Sequence, residues 1–180
     1  MKTNSKILFI SGSMRKGNTE HILFKIYESI DTESKELILL KEKNIMFCKG
    51  CLTCYTKPGC VIKDDMVDIL PKILESDILV LGTPNYYENV SGLMKNFMDR
   101  CHPFYENELI CNKKVILIFV GGGKNEGTKK SLNLAFYGFV KHLKLDLIDS
   151  YSFQALEWNE LSKKDISEEI AKIVGEINSL

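Results

Sequence analysis

No stretch of this chain comes near the roughly 18 to 20 consecutive apolar residues that a bilayer-spanning helix needs, so a transmembrane protein is not expected. Charge of one sign is also missing. The 24 basic residues balance 24 acidic ones, which argues against nucleic acid or an anionic membrane surface as a general partner. No internal repeat, low-complexity tract or linker divides the sequence, and 180 residues read as one domain, able to bury a core without covalent staples. His21, His102 and His142 have no nucleophile or acid at a telling spacing, which leaves a hydrolytic triad without support. The apolar run near the amino terminus is short and leads into a glycine loop instead of a small-residue cleavage site. It reads as a first strand, and the expectation is a soluble, cytoplasmic protein.

Against this ordinary background, with 44% hydrophobic and 27% charged residues, short runs of Ile, Leu, Val and Phe recur. They predict strands over 6–10, 36–40, 77–81, 115–120 and 145–148, apolar on both faces as in a sheet covered by helices on both sides. Helical spacing begins near Thr19, Asp65, Ser91, Lys129 and Asp165; in the last segment Ile166, Ile170, Ile173, Val174 and Ile177 form one stripe. Strand–helix alternation with right-handed crossovers predicts an α/β, doubly wound, five-stranded parallel sheet of order 2-1-3-4-5, the flavodoxin-like arrangement. Its ligand crevice would lie beyond the carboxyl ends of the strands, where strand order reverses.

Two loops fall at that crevice. Ser11-Gly-Ser-Met-Arg-Lys-Gly-Asn-Thr19, after the first strand, combines two glycines, three hydroxyls, an amide and two cations at a helix start. Backbone N–H groups and a favourable dipole make such a loop a pocket for a terminal phosphate. Its spacing is neither a Walker A loop nor G-x-G-x-x-G. The plainer reading is a polar turn with Asn18 or Thr19 as the helix N-cap. After the third strand, Gly82-Thr-Pro-Asn-Tyr-Tyr-Glu-Asn-Val-Ser-Gly92 carries Pro84, which biases Thr83 toward an extended conformation. The loop could present peptide groups and the rings of Tyr86 and Tyr87 to a flat ligand, or those rings could pack at the sheet edge.

With "GSMRKGNT", "CKGCLTC" to "GCVIKDDM", "GTPNYYENVSGLMKNFMDR" and "GGG" in this order and spacing, the chain resembles the NAD(P)H-dependent FMN reductases of the flavodoxin-like superfamily. Within them it resembles the iron–sulfur flavoproteins. The resemblance runs directly from residue 7 to about residue 123. It implies that Ser11, Ser13, Arg15, Gly17, Asn18 and Thr19 bind the FMN phosphate, and that Pro84, Asn85, Tyr86, Tyr87 and Asn89 contact the isoalloxazine ring. Gly121, Gly122 and Gly123 would let the loop after the fourth strand approach it closely. Met14 stands where the family commonly has proline, a change that removes no phosphate donor.

Four of the six cysteines, Cys48, Cys51, Cys54 and Cys60, have the spacing C-x2-C-x2-C-x5-C. Three thiolates two residues apart can cap three corners of an iron–sulfur cube, with Cys60 closing the fourth and Gly50, Pro58 and Gly59 turning the backbone. Zinc is the rival; structural zinc more often joins two C-x2-C knuckles across about 15 to 20 residues. A disulfide or reactive-thiol reading also stands for protein exposed to air. The resemblance implies a [4Fe-4S] centre near the flavin. Cys101 and Cys111 read as buried apolar packing, Asp64 and Asp65 as caps of the following helix, and Trp158 as a residue for a subunit contact.

The expected function is electron transfer between FMN and a [4Fe-4S] cluster, in one flavin-binding domain over 1–180 with the cysteine loop inserted at 48–60. The chain would then be an oxidoreductase without a catalytic side chain of its own. The alternatives are an NAD(P)H-dependent FMN or quinone reductase with no cluster, NAD(P)H being its co-substrate, and a non-enzymatic module with a zinc-held loop. Small-molecule or protein electron donors and acceptors are the expected partners. The resemblance further implies a homodimer or homotetramer.

Overall fold

A computed structural model describes residues 5–105 and 107–180. Its five parallel strands are β1 (Ile7–Ser11), β2 (Lys35–Leu39), β3 (Ile78–Pro84), β4 (Lys114–Gly121) and β5 (Asp146–Gln154), in the order β2-β1-β3-β4-β5. The helices are α1 (Asn18–Ser29), α2 (Met66–Glu75), α3 (Gly92–Arg100), α4 (Asn125–His142) and α5 (Ser167–Ser179). This is the flavodoxin-like sheet expected from the sequence. Among the described residues no helix is long and apolar enough to cross a membrane.

The two-residue alternation of the strands divides the core. Ile7, Phe9, Ile78, Val80, Ile116 and Ile118 meet Ile22 and Ile26 of α1 and Ile173 and Ile177 of α5. Leu8, Ile10, Leu79, Leu81, Leu117 and Phe119 meet Ile69 and Ile73 of α2, Met94 and Phe97 of α3, and Phe136 of α4. Each such side chain, fully removed from water, contributes roughly 1.5–3 kcal/mol before the entropy of ordering it. The strands that carry most of this core, β1, β3 and β4, are therefore buried almost throughout.

Several boundaries differ from the sequence reading, among them the end of β3, which runs on through Gly82 and Thr83 to Pro84. α4 starts at Asn125 rather than near Lys129, because its first turn is polar and its buried stripe, Thr128, Leu132 and Phe136, is confined to one side. β5 runs on to Gln154: it pairs only with β4 and is only partly covered, Ser150 and Phe153 alone being buried, so the apolar run is broken. The α1 N-cap is Gly17, with no capping side chain, and not Asn18 or Thr19. β1 lies between β2 and β3, so successive connections leave it in opposite directions and open the crevice at its carboxyl end.

Candidate cofactor sites

The loop after β1 is stitched to the neighbouring strand, Gly12 N donating to Gly82 O at 2.8 Å. It is also pressed against α3: a Cβ on Gly12 would stand 2.8 Å from Met94 Cβ. The side chain of Ser91, the α3 N-cap, accepts from Met94 N and donates to Gly12 O at 2.5 Å. Within the loop, Ser13 Oγ donates to Arg15 O at 2.9 Å, which folds the chain toward α1. Without a side-chain cap, the first N–H groups of α1 are left for an anion.

The loop after β3 supplies a second wall. Asn85 N donates to Val120 O at 2.7 Å, and Asn85 Nδ2 reaches Thr128 Oγ1 at 3.4 Å. Asn85 Oδ1 is buried with no hydrogen-bond partner. The chain then turns tightly, Tyr86 and Asn89 exchanging backbone hydrogen bonds around Tyr87 and Glu88, whose φ values of 52° and 59° are left-handed. Such φ values cost about 1 kcal/mol or more in a non-glycine residue and cluster at ligand loops.

One cavity collects most of the residues expected to hold flavin. Ser13, Arg15, Gly17, Asn18 and Thr19 line it from one side, and Pro84, Asn85, Tyr86, Gly121 and Gly122 from the other. Four expected residues lie outside this lining. Ser11 is fully buried beneath the loop, its Oγ receiving Ser13 N. Tyr87 is fully exposed at the turn tip, Asn89 folds its Oδ1 onto Val90 N, and Gly123 faces solvent.

A further wall comes from the segment after β5, which sequence reasoning missed: Ala155, Leu156, Glu157 and Trp158. Trp158 Nε1 donates to Lys16 O at 2.8 Å, so this residue ties down the loop after β1. A Cβ on Gly17 would sit 3.1 Å from the indole, and one on Gly122 would sit 2.7 Å from Leu156. Asn18 joins the same latch, its Nδ2 donating to Glu157 O at 2.8 Å and its Oδ1 accepting from Leu161 N at 3.0 Å. Glu160, whose carboxyl is drawn down to about 2 by Lys164 and the N–H groups of Glu157 and Leu156, closes the segment.

These features fit FMN. Unpartnered helix N–H groups suit its phosphate, and the orphan acceptor of Asn85 suits an N–H on the polar edge of the isoalloxazine.

The cysteine loop follows β2 and one helical turn at Leu40–Glu42. Its two stems are tied together: Asn44 N donates to Asp65 Oδ2, and Met46 N to Asp64 Oδ2, each at 2.8 Å. Left-handed φ at Gly50 (63°), Leu52 (56°) and Gly59 (79°) curls the segment between them. Cys48, Cys51, Cys54 and Cys60 all line one small cavity, together with Arg100 and His102. Every one of the four sulfurs faces a polar hydrogen or a ring nitrogen. Gly50 N lies 3.5 Å from Cys48 Sγ and Thr53 Oγ1 lies 3.5 Å from Cys51 Sγ. His102 Nδ1 lies 3.6 Å from Cys54 Sγ and Arg100 Nη2 lies 3.7 Å from Cys60 Sγ.

Burial, with three neighbouring sulfurs, pushes the Cys54 thiol up, while the hydroxyl of Thr53 pulls Cys51 down. Among the described residues no three His, Cys, Asp or Glu side chains are grouped as ligands of a single metal ion. Four soft sulfur donors, each facing a group of this kind, fit an iron–sulfur cluster.

Several other readings change. Asp64 does receive Met66 N at 3.1 Å as a cap, but it also carries a buried ion pair with Arg100, whereas Asp65 occupies the α2 N-cap position and turns its side chain to the loop stem. Cys101 is buried as expected, and burial raises its thiol well above the ordinary range. Cys111 is only half-buried. His102 stands at the cysteine cavity, stacked on Tyr105, which stacks in turn on His142.

The sequence matches the NADPH-dependent FMN reductase family over residues 5–143. This chain belongs to that family. It is 43% identical to an iron-sulfur flavoprotein of Archaeoglobus fulgidus over 97 residues, 53% of this chain and 48% of that one. It therefore spans about half the length of that relative. An iron-sulfur flavoprotein of Methanocaldococcus jannaschii is 34% identical over 140 residues, covering 76% of this chain and 72% of that one. The fold of this family member is shared by the Trp repressor binding protein of Bacillus subtilis, with a TM-score of 0.70 at 19% identity over 96% of this chain and 97% of that one.

Proposed function

We propose that this family member binds FMN and exchanges electrons between it and a [4Fe-4S] cluster held by Cys48, Cys51, Cys54 and Cys60. The observation that carries the reading is the cavity shared by these four cysteines, with a hydrogen-bonding group facing each sulfur. When bound, the flavin would interconvert two-electron and one-electron transfers, and the cluster would hold one electron at a time. The chain's own residues bind and orient. The N-terminus of α1, Ser13 and Arg15 receive the phosphate, Asn85 accepts from the ring edge, and Pro84 and Tyr86 pack beside it. The exposed Tyr87 turn and the exposed Phe47 and Leu52 of the cysteine loop suit contact with a second copy, consistent with a homodimer or homotetramer. Small molecules or redox proteins would be the electron donors and acceptors, in the cytoplasm.

The family match, which includes every flavin-lining loop but the one after β5, also supports a simpler reading: an NAD(P)H-dependent reductase in which the cysteine loop plays no redox part. Anaerobic purification followed by iron, sulfide and FMN assay separates the two. The cluster reading expects about four irons per chain, and Cys54→Ala is expected to abolish the broad visible absorbance of the cluster while FMN stays bound. Rapid flavin bleaching by NADPH in iron-free protein would favour the simpler reading, and protein unable to bind FMN would remove both.

A further inference from the structure

Of the chain's 24 cationic residues only Arg15 and Arg100 are arginines. Arg15 belongs to the loop after β1; Arg100 ends α3, and its side chain is completely buried. Its Nη1 donates to Asp64 Oδ2 at 2.5 Å and to Met46 O at 2.6 Å. Its Nη2 donates to Asp64 Oδ1 at 3.0 Å and lies 3.7 Å from Cys60 Sγ. One rigid fork thus grips both stems of the cysteine loop and still directs an N–H at a sulfur. A lysine could not do both, since its single ammonium lacks the planar pair of donors.

Asp64 largely cancels the guanidinium charge, so what reaches Cys60 is a directed N–H dipole. Such a donor draws electron density from a ligating sulfur and favours the more negative, reduced state of a cluster. We infer that Arg100 sets the reduction potential of the cluster, holding it higher than the thiolates alone would, through Nη2–H···Sγ of Cys60, with Asp64 positioning the fork. This rests on the cluster reading above.

The test is a mediated redox titration of the holoprotein, followed by the EPR signal of the reduced cluster and by flavin absorbance. Arg100→Lys keeps the charge beside Asp64 and loses the fork. It is expected to make one-electron reduction of the cluster about tenfold less favourable, a fall of about 59 mV, while the FMN potential stays where it was. A retained cluster whose potential does not move overturns the inference. If the variant loses its cluster, wild-type protein labelled with 15N-arginine decides. A nitrogen hyperfine coupling in the reduced cluster supports the Arg100 contact, and its absence overturns it. Wild-type protein that takes up no iron removes the cluster reading together with this inference; iron present without the coupling removes only the inference.

Discussion

The crevice cavity proposed for flavin and the cysteine cavity lie on the same chain but are held together in different ways. The first is stitched to the sheet through backbone: Gly12 N to Gly82 O, Asn85 N to Val120 O and Ala155 N to Gly121 O fix its loops to β3 and β4. The second is held mainly through side chains, the buried Asp64–Arg100 pair together with Asp65 on Asn44 N and Asn96 on Ile45 O, with a loop of exposed or half-buried cysteines beyond them. α3 connects them, capped by Ser91 against the loop after β1 and ending at Arg100 against the cysteine loop, nine helical residues or about 13 Å away. A cavity built on sheet backbone is stiff before any ligand arrives. One held by a few side chains draws its order from them and from its ligand.

Breaking the pair gives the largest expected effect. Asp64→Ala strands a buried guanidinium and removes the tie to Met46 N, and should cost about 3–5 kcal/mol, read as a lower urea midpoint with iron lost before FMN. Equal loss of both cofactors would erase the contrast. Acid should act in the same direction. Burial alone would raise the Asp64 carboxyl, but the Arg100 guanidinium and the N–H groups of Met46 and Met66 hold it below the ordinary range. Its contribution is therefore complete above the unfolded value of about 4 and is lost as pH falls through the lowered folded value.

An intermediate effect is expected at the flavin side. Gly12→Ala places a methyl 2.8 Å from Met94 Cβ and 3.1 Å from Ser91 Oγ, an overpacking cost of about 1–3 kcal/mol. FMN affinity measured by fluorescence quenching should fall, with iron content unchanged. The smallest effect should come from Trp158→Phe, which keeps a ring over Gly17 but removes the hydrogen bond to Lys16 O. A loss of about 1 kcal/mol, or roughly fivefold in FMN affinity, is expected. Unchanged affinity would show that the segment after β5 only covers the cavity.

The strands, their order and the two crevice loops were legible because each is a local pattern: uninterrupted apolar runs at β1, β3 and β4, and glycine-rich loops directly after them. The cluster of four cysteines was legible for the same reason, being packed within 48–60. The polar first turn of α4 and the half-solvated β5 blurred their own boundaries, since neither carries a continuous apolar signal. Tyr87 and Asn89 look like their neighbours in sequence, yet the left-handed turn carries them out of the cavity lining.

By itself, the order of residues determined the doubly wound sheet, the place of its crevice and the four sulfurs, because hydrophobic period, turn chemistry and ligand spacing act over a few residues. Only the tertiary structure decided that Trp158 and Glu157 complete the crevice cavity, across 142 and 139 residues from Lys16 and Asn18. It likewise decided that Arg100 and His102, 40 and 48 residues from Cys60 and Cys54, turn their nitrogens toward sulfur. Those contacts exist because β5 closes beside β4 and α3 packs against the stems of the cysteine loop, and no local pattern encodes where two distant segments meet.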